Sequence, residues 1–415
     1  MTSERPYGLF QAFGVELEYM IVDQQTLNVS PCSDLVLQEG AGEITGEWER
    51  GKAAWSNELA LHVLEFKVSE PVPNLDGLTE LFQQQVRDAN AMLHRHGCRL
   101  MPTAMHPWMR PETEMKLWPH DYNPVYEAFH RIFDCRGHGW ANLQSTHWNF
   151  PFRDDQEFGK LHAAIRLVLP LLPGLAASSP IYDATRSGFL DSRLDVYQSN
   201  SKRIPSIAGK IVPEGVYTEA DYESKILLPM YRDISPLDPE GILQHIWLNA
   251  RGAIARFDRG SIEVRVLDIQ ENPAADMAIG TLMAATLRAL CNEHWLPWKS
   301  QASVSTDVLA KLLQDAIRVG PAAIVPESIA CHFGCGMEES VTIGALWNSI
   351  IQQLDDFEAV LEGPLRECLE TILHEGTLSQ RILSSLEGDV SPNRLHRVYE
   401  ELCDCLEDGT MFHGD

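Results

Sequence analysis

Apolar and polar residues alternate along several short segments of the chain. Phe13, Val15, Leu17 and Tyr19 alternate with Gly14, Glu16 and Glu18, which predicts a strand over residues 10–23. Ile262, Val264 and Val266 alternate with Glu263 and Arg265 behind an Asp258-Arg-Gly turn signal, which predicts a strand pair within 244–268. Further strands are expected over 56–68, Cys98–Thr103 and 140–150. Helical spacing appears at 74–97, with Asn74 as the expected N-cap and Gly97 at the end. It recurs at 123–135, at 154–178 with a kink from Pro170 and Pro173, and at 219–234. Residues 179–216 read as a loop rich in Gly, Ser, Pro and basic side chains. Beyond Asn272 the pattern is helical: 273–293, 305–319, 341–362, 364–375, 377–387 and 391–406.

Strands followed by a helical last third predict an α+β fold, with no internal repeat and no low-complexity linker. The expected division is a core over 1–290 and a helical C-terminal region over 291–415 packed on it.

Composition adds limits. A formal charge of −26 argues against nucleic acid and anionic membranes as partners. No membrane span is expected, and the start Met1-Thr-Ser-Glu-Arg-Pro-Tyr-Gly lacks the features of a secretory leader. Nine scattered cysteines fit reduced thiols and a cytoplasmic protein. Cys331 and Cys335, and Cys403 and Cys405, lack the spacing of a zinc site.

The strand period gives the chemistry. Alternate side chains share a face, so Glu16 points with Glu18, Glu263 with Arg265, and His147 with Asn149. Carboxylates gathered on one side of a sheet repel one another unless cations lie among them, and hard divalent ions such as Mg²⁺ take oxygen ligands. Several such ions point to a nucleoside triphosphate. Glu58 and Glu65 are separated by seven positions, so one straight strand would put them on opposite faces. They can serve one site only if Glu58 precedes the strand or a bulge intervenes. Singly, each of these residues has a plainer reading: Glu16 and Glu18 as solvated strand residues, His147 as a core histidine, Asp268 as a structural carboxylate. Trp108, Trp118, Trp140 and Trp148 read as core.

Four segments together resemble one family: Gly14-Val-Glu-Leu-Glu, the Glu58 to Glu65 segment, Thr146-His-Trp-Asn-Phe and Ile262-Glu-Val-Arg-Val-Leu-Asp-Ile. In this order they resemble the glutamate–cysteine ligases and related carboxylate–amine ligases of the glutamine-synthetase-like fold, with the match fading after about residue 290. The resemblance implies an antiparallel sheet curved into a saddle or funnel and backed by helices. It implies ATP as co-substrate and two or three Mg²⁺ ions, with Mn²⁺ as a substitute. Glu16, Glu58 and Glu65 would surround one ion, and Glu18, His147 and Glu263 another. Arg265 would act on the transferring phosphoryl group, and Asn149 would face the nucleotide. Arg193, Tyr197, Lys202 and Arg203 would bind substrate, although the spacing of Arg193 and Tyr197 is shorter than the family's. The implied reaction joins the γ-carboxylate of glutamate to the amine of cysteine through an acyl phosphate. The alternatives are ligation to another amine, or a non-catalytic nucleotide-binding relative.

Overall fold

The structure, a computed structural model, describes residues 5–336, 341–354, 357, 361 and 363–414. The remainder of the helical pattern expected over 341–362 lies outside the described residues.

The site rests on one antiparallel sheet. Its strands are β1 (Gly14–Asp23), β2 (Glu47–Arg50), β3 (Ala53–Asn57), β4 (Val63–Val68), β5 (Cys98–Met101), β6 (Ser145–Pro151), β9 (Ala253–Arg256) and β10 (Ser261–Asp268), while β7 (Ile181–Tyr182) and β8 (Thr185–Arg186) form a separate hairpin. The order is β2-β3-β4-β1-β6-β10-β9, and β5 pairs with the last residues of β1. The α+β antiparallel architecture is the one the sequence predicts.

Period 2 divides the sheet into a polar face and an apolar one. Val15, Leu17, Tyr19, Leu64, Phe66, Trp148, Phe150, Ile262 and Val264 are buried in the main core. The helices Leu78–Leu93, Asp155–Val168 and Pro273–Cys291 contribute Phe82, Leu161 and Leu282 to the same core. Gly280 lets the last of these helices approach β6, because a Cβ there would stand 1.8 Å from Cζ2 of Trp148. This 19-residue helix is long and apolar enough to cross a membrane, yet it lies mostly buried within the protein.

Several boundaries differ from the pattern. The 74–97 helix begins at Leu78, behind Gly77 at φ +73°, and Asn74 instead accepts a turn hydrogen bond from the Asp76 amide at 3.2 Å. The segment 56–68 is two strands, β3 and β4, joined by a connection that holds Glu58. Residues 244–252 are not a strand, and Ile246–Leu248 form a short 3₁₀ turn. The stretch 179–216 contains a six-residue helix, Ser192–Tyr197, capped by the Asp191 carboxylate, which accepts from the Leu194 amide at 2.8 Å. So short a helix leaves no periodicity to detect.

The C-terminal helices pack on the rest of the chain. Leu309, Trp347 and Cys368 belong to the main core. A second cluster joins Met20 and Val22 of β1 and Met101 of β5 to Leu378, Ile382, Tyr399 and Leu402.

Candidate active site

The polar face of the sheet floors a cavity of about 890 Å³. Strand register aligns its side chains in rows. Glu18 of β1 lies opposite Glu65 of β4, which lies opposite Ser56 of β3. In the next row Lys67, Glu16 and His147 face one another across β4, β1 and β6. Beyond it Gly14, Asn149 and Glu263 form a third. A register shift in β10 between Val264 and Leu267 places Asp268 opposite Ser145.

The carboxylates fall into two overlapping groups. Glu18, Glu58 and Glu65 each offer an oxygen within 4.8 Å of the others, and so do Glu16, Glu65 and His147 with their ligand atoms. This differs from the grouping implied by the resemblance, in which Glu58 sat with Glu16. Register is the reason, since Glu65 pairs directly with Glu18. Glu58 reaches the site because it lies in the β3–β4 connection, where strand parity does not apply. Glu263 belongs to neither group among the described residues. Arg265 Nε donates to its carboxylate at 3.0 Å, and Arg256 Nη1 stands 3.9 Å away.

Crowded charge shows in the titration of these groups. Burial, then the charges of Glu18 and Glu65, push the Glu58 carboxyl well above the usual range. Burial and Glu16 raise Glu65 to about 7, against the opposing pull of Lys67 and a 2.5 Å hydrogen bond from Ser56. Burial disfavours the charged His147 ring, but Glu18 and Glu16 outweigh it and raise its pKa to about 9. Burial also opposes the Glu263 charge, yet Arg265, His147 and Arg256 hold that carboxyl down at about 2. His147 Nδ1 lies 3.1 Å from Glu16, and the Ser145 amide and hydroxyl donate to Glu18 at 2.7 and 2.9 Å. Carboxylates that cannot all stay ionised together are a donor set suited to hard divalent cations. The residues present therefore fit Mg²⁺.

Other expected site residues divide. Asn149 lines the cavity and donates to Glu16 at 3.2 Å. Arg193 and Tyr197 reach the cavity from the short helix. Arg193 is buried, and its Nε donates to the fully buried Asp268 at 2.5 Å. Ser178 and Ser179 also donate to Asp268, so that carboxylate is structural. Lys202 and Arg203 are exposed and do not line the cavity; Arg203 instead donates to the Ile132 carbonyl at 2.6 Å. The 3₁₀ turn at Pro205–Ile207 follows them, and the side chains face outward.

Sequence reasoning missed Lys67, Arg256, Arg259, Phe129 and Trp247, all of which line the cavity. Lys67 was detectable, standing two positions after Glu65 on the same strand face. Of the four tryptophans read as core, Trp140 lines the cavity, while Trp118 and Trp148 are fully buried.

Two solved structures share the architecture. One is a glutamate–cysteine ligase from Francisella tularensis in complex with AMP, with TM-score 0.60 and 12% identity over 95% of this chain and 89% of that one. The other is a bifunctional glutathione synthetase from Pasteurella multocida, with TM-score 0.55 and 13% identity over 97% of this chain and 52% of that one. The fold is thus one that ligases use. The family model for glutamate–cysteine ligase family 2 matches residues 12–401, and the chain belongs to that family of ligases. The match continues through the C-terminal helices, well past residue 290, where the sequence resemblance was expected to fade. An uncharacterized protein of Archaeoglobus fulgidus is 30% identical over 96% of this chain and 99% of its own length. A putative glutamate–cysteine ligase 2 of Bradyrhizobium diazoefficiens is 26% identical over 67% of this chain and 59% of its own.

Proposed function

We propose that the protein is an ATP-dependent carboxylate–amine ligase that activates the γ-carboxylate of glutamate as an acyl phosphate and transfers it to an amine. The observation that carries this reading is the pair of acid clusters on one sheet face, flanked by Arg265 and Arg193. Family membership supports it, and relatives named as putative glutamate–cysteine ligases make cysteine the first acceptor to test.

Amide formation from a free carboxylate is uphill in water, and phosphoryl transfer needs positioning and charge neutralisation more than covalent help from protein. Mg²⁺ held by Glu18, Glu58 and Glu65, and by Glu16 and His147, would neutralise phosphate charge. Arg265 is held by Glu263 so that its guanidinium fork lies along the cavity floor, where it stabilises the transferring phosphoryl group. Arg193 has its Nε fixed by Asp268 and its terminal nitrogens 3.4 Å from the Arg265 carbonyl oxygen, and from that fixed position beside Tyr197 it would grip a glutamate carboxylate. Asn149, next to Glu16, faces the nucleotide end.

The first test is hydroxamate formation from glutamate, ATP, Mg²⁺ and hydroxylamine, a small nucleophile that traps the activated carboxylate. Hydroxamate that depends on glutamate, ATP and Mg²⁺ supports the reading; its absence sinks it. In the same assay Arg265→Lys should lower turnover by roughly 10²- to 10³-fold, the loss typical of one transition-state donor.

A second acceptor class competes with cysteine, because Tyr126, Phe129, Trp140 and Trp247 also line the cavity.

A further inference from the structure

The two ends of the cavity differ in chemistry. Gly14, Val68, Pro151 and Ser261 mark one end of the aligned strands, and Arg259 lies on the adjoining β9–β10 turn. The other end begins at Glu58. There Tyr126 lines the cavity and accepts a hydrogen bond from Asn57 at 3.0 Å. From Tyr126 the lining continues through Phe129 and Trp140, whose ring centroids are 5.4 Å apart, and Trp247, 5.9 Å from Phe129. All four rings are half-buried. They are set by separate elements: Tyr126 and Phe129 by the helix Asn123–Phe133, Trp140 by the turn His138–Ala141, and Trp247 by its own 3₁₀ turn. Such a wall offers apolar area and ring faces to a ligand body.

Most cations of the cavity are already engaged. The Lys and Arg side chains lining the cavity, among the described residues, are Lys67, Arg193, Arg256, Arg259 and Arg265. Lys67 pairs with Glu47 at 2.6 Å, Arg256 with Asp258 at 2.9 Å, and Arg265 with Glu263. Arg259 belongs to the opposite end. Arg193 is engaged as well, its Nε by Asp268 and its terminal nitrogens by the Arg265 carbonyl at 3.4 Å, and the proposed reaction already assigns it to glutamate. An acceptor bearing a carboxylate would bring a second anion to a cavity where Lys67, Arg193, Arg256 and Arg265 already have carboxylate partners. Burying an unpaired carboxylate there is costly, whereas an amine is favoured by the acids and by the ring faces.

We propose that the acceptor is a primary amine with an aromatic or bulky apolar body and no carboxylate, seated against Phe129, Trp140 and Trp247. This rests on the glutamate-activating reading above. In the transfer step the amine nitrogen attacks the γ-carbonyl carbon of glutamyl phosphate and forms the C–N bond. The C–O bond to phosphate breaks, inorganic phosphate leaves with the electron pair, and the amine releases a proton.

The test uses the full-length protein with ATP, Mg²⁺ and glutamate. Phenethylamine, phenylalanine, ethylamine and cysteine are compared as acceptors, with hydroxylamine as the small reference nucleophile. Phenethylamine and phenylalanine differ only in the carboxylate, and phenethylamine and ethylamine only in the ring. The expected result is a kcat/KM for phenethylamine at least tenfold above each of the other three. Trp247→Ala should lower the ratio of phenethylamine to hydroxylamine turnover at least tenfold, and hydroxamate formation reports that the variant is folded. Phenylalanine or cysteine matching or exceeding phenethylamine overturns the proposal, as does an unchanged ratio in Trp247→Ala. Hydroxamate without amide from phenethylamine overturns this inference alone. No hydroxamate from glutamate overturns the glutamate reading and this inference with it.

Discussion

Glu65 is shared by both acid groups, and its proton decides how the metal-free protein responds to pH. Its carboxyl titrates at about 7 in the folded chain, against an ordinary value of ~4.3 in an unfolded one. Between those values the folded state holds the extra proton, so raising the pH removes stability. His147 acts in the same direction over a later window. Its raised pKa of about 9 contributes stability that is complete below the unfolded ~6.5 and lost as pH rises through 9. Glu263 acts on the acid side: its low pKa of about 2 contributes stability above ~4.3 that is lost as pH falls toward 2. Thermal unfolding of EDTA-treated protein should therefore show a Tm that declines from pH 5 to pH 9. Mg²⁺ or Mn²⁺ should raise Tm and flatten that decline. A metal-free Tm that climbs across this range would contradict the crowding of charge at Glu65 and His147.

At the scale of elements, the helix Pro273–Cys291 holds β6 in register from behind. Gly280 meets the indole of Trp148, and on the opposite face of β6 stand His147 and Asn149. Gly280→Ala must displace either the indole or the helix. Overpacking of this kind costs roughly 1–3 kcal/mol. The unfolding free energy from urea titration should fall by that amount, with a lower midpoint, and activity should fall with it because the His147 strand shifts. Unchanged stability would mean that the helix does not set the strand's position.

Across the whole molecule, the C-terminal helices close the core at the far end of β1. Arg381, on the helix Leu378–Leu386, buries its guanidinium against Glu271, which follows β10, and against the Phe412 carbonyl. Both side chains are almost entirely shielded, at 1% and 0% exposure, so removing one charge strands the other. Arg381→Leu should cost about 3–5 kcal/mol, read as a large drop in the unfolding midpoint. Arg381→Leu combined with Glu271→Gln should recover much of that loss. If the double variant is as unstable as the single one, the pair is not what joins the two regions.

Local sequence determined which side chains share a face. The period of 2 in Gly14–Asp23 and Ser261–Asp268 set Glu16 with Glu18 and Glu263 with Arg265, and the apolar partners named the buried face. The presence of strands and of a helical last third was legible for the same reason, since periodicity is a property of contiguous residues, whereas the antiparallel sheet was implied by the family resemblance. Only the tertiary structure decided which faces meet. Register pairs Glu18 with Glu65, and so divides the acids differently from the order of the motifs. A connection rather than a strand brings in Glu58, and a short capped helix delivers Arg193 to Asp268. The aromatic wall draws on three elements spread over more than a hundred residues, of which only the helix Asn123–Phe133 had a local signal. These placements follow from hydrogen-bond pairing and core burial between distant segments, which neighbouring residues in a sequence do not encode.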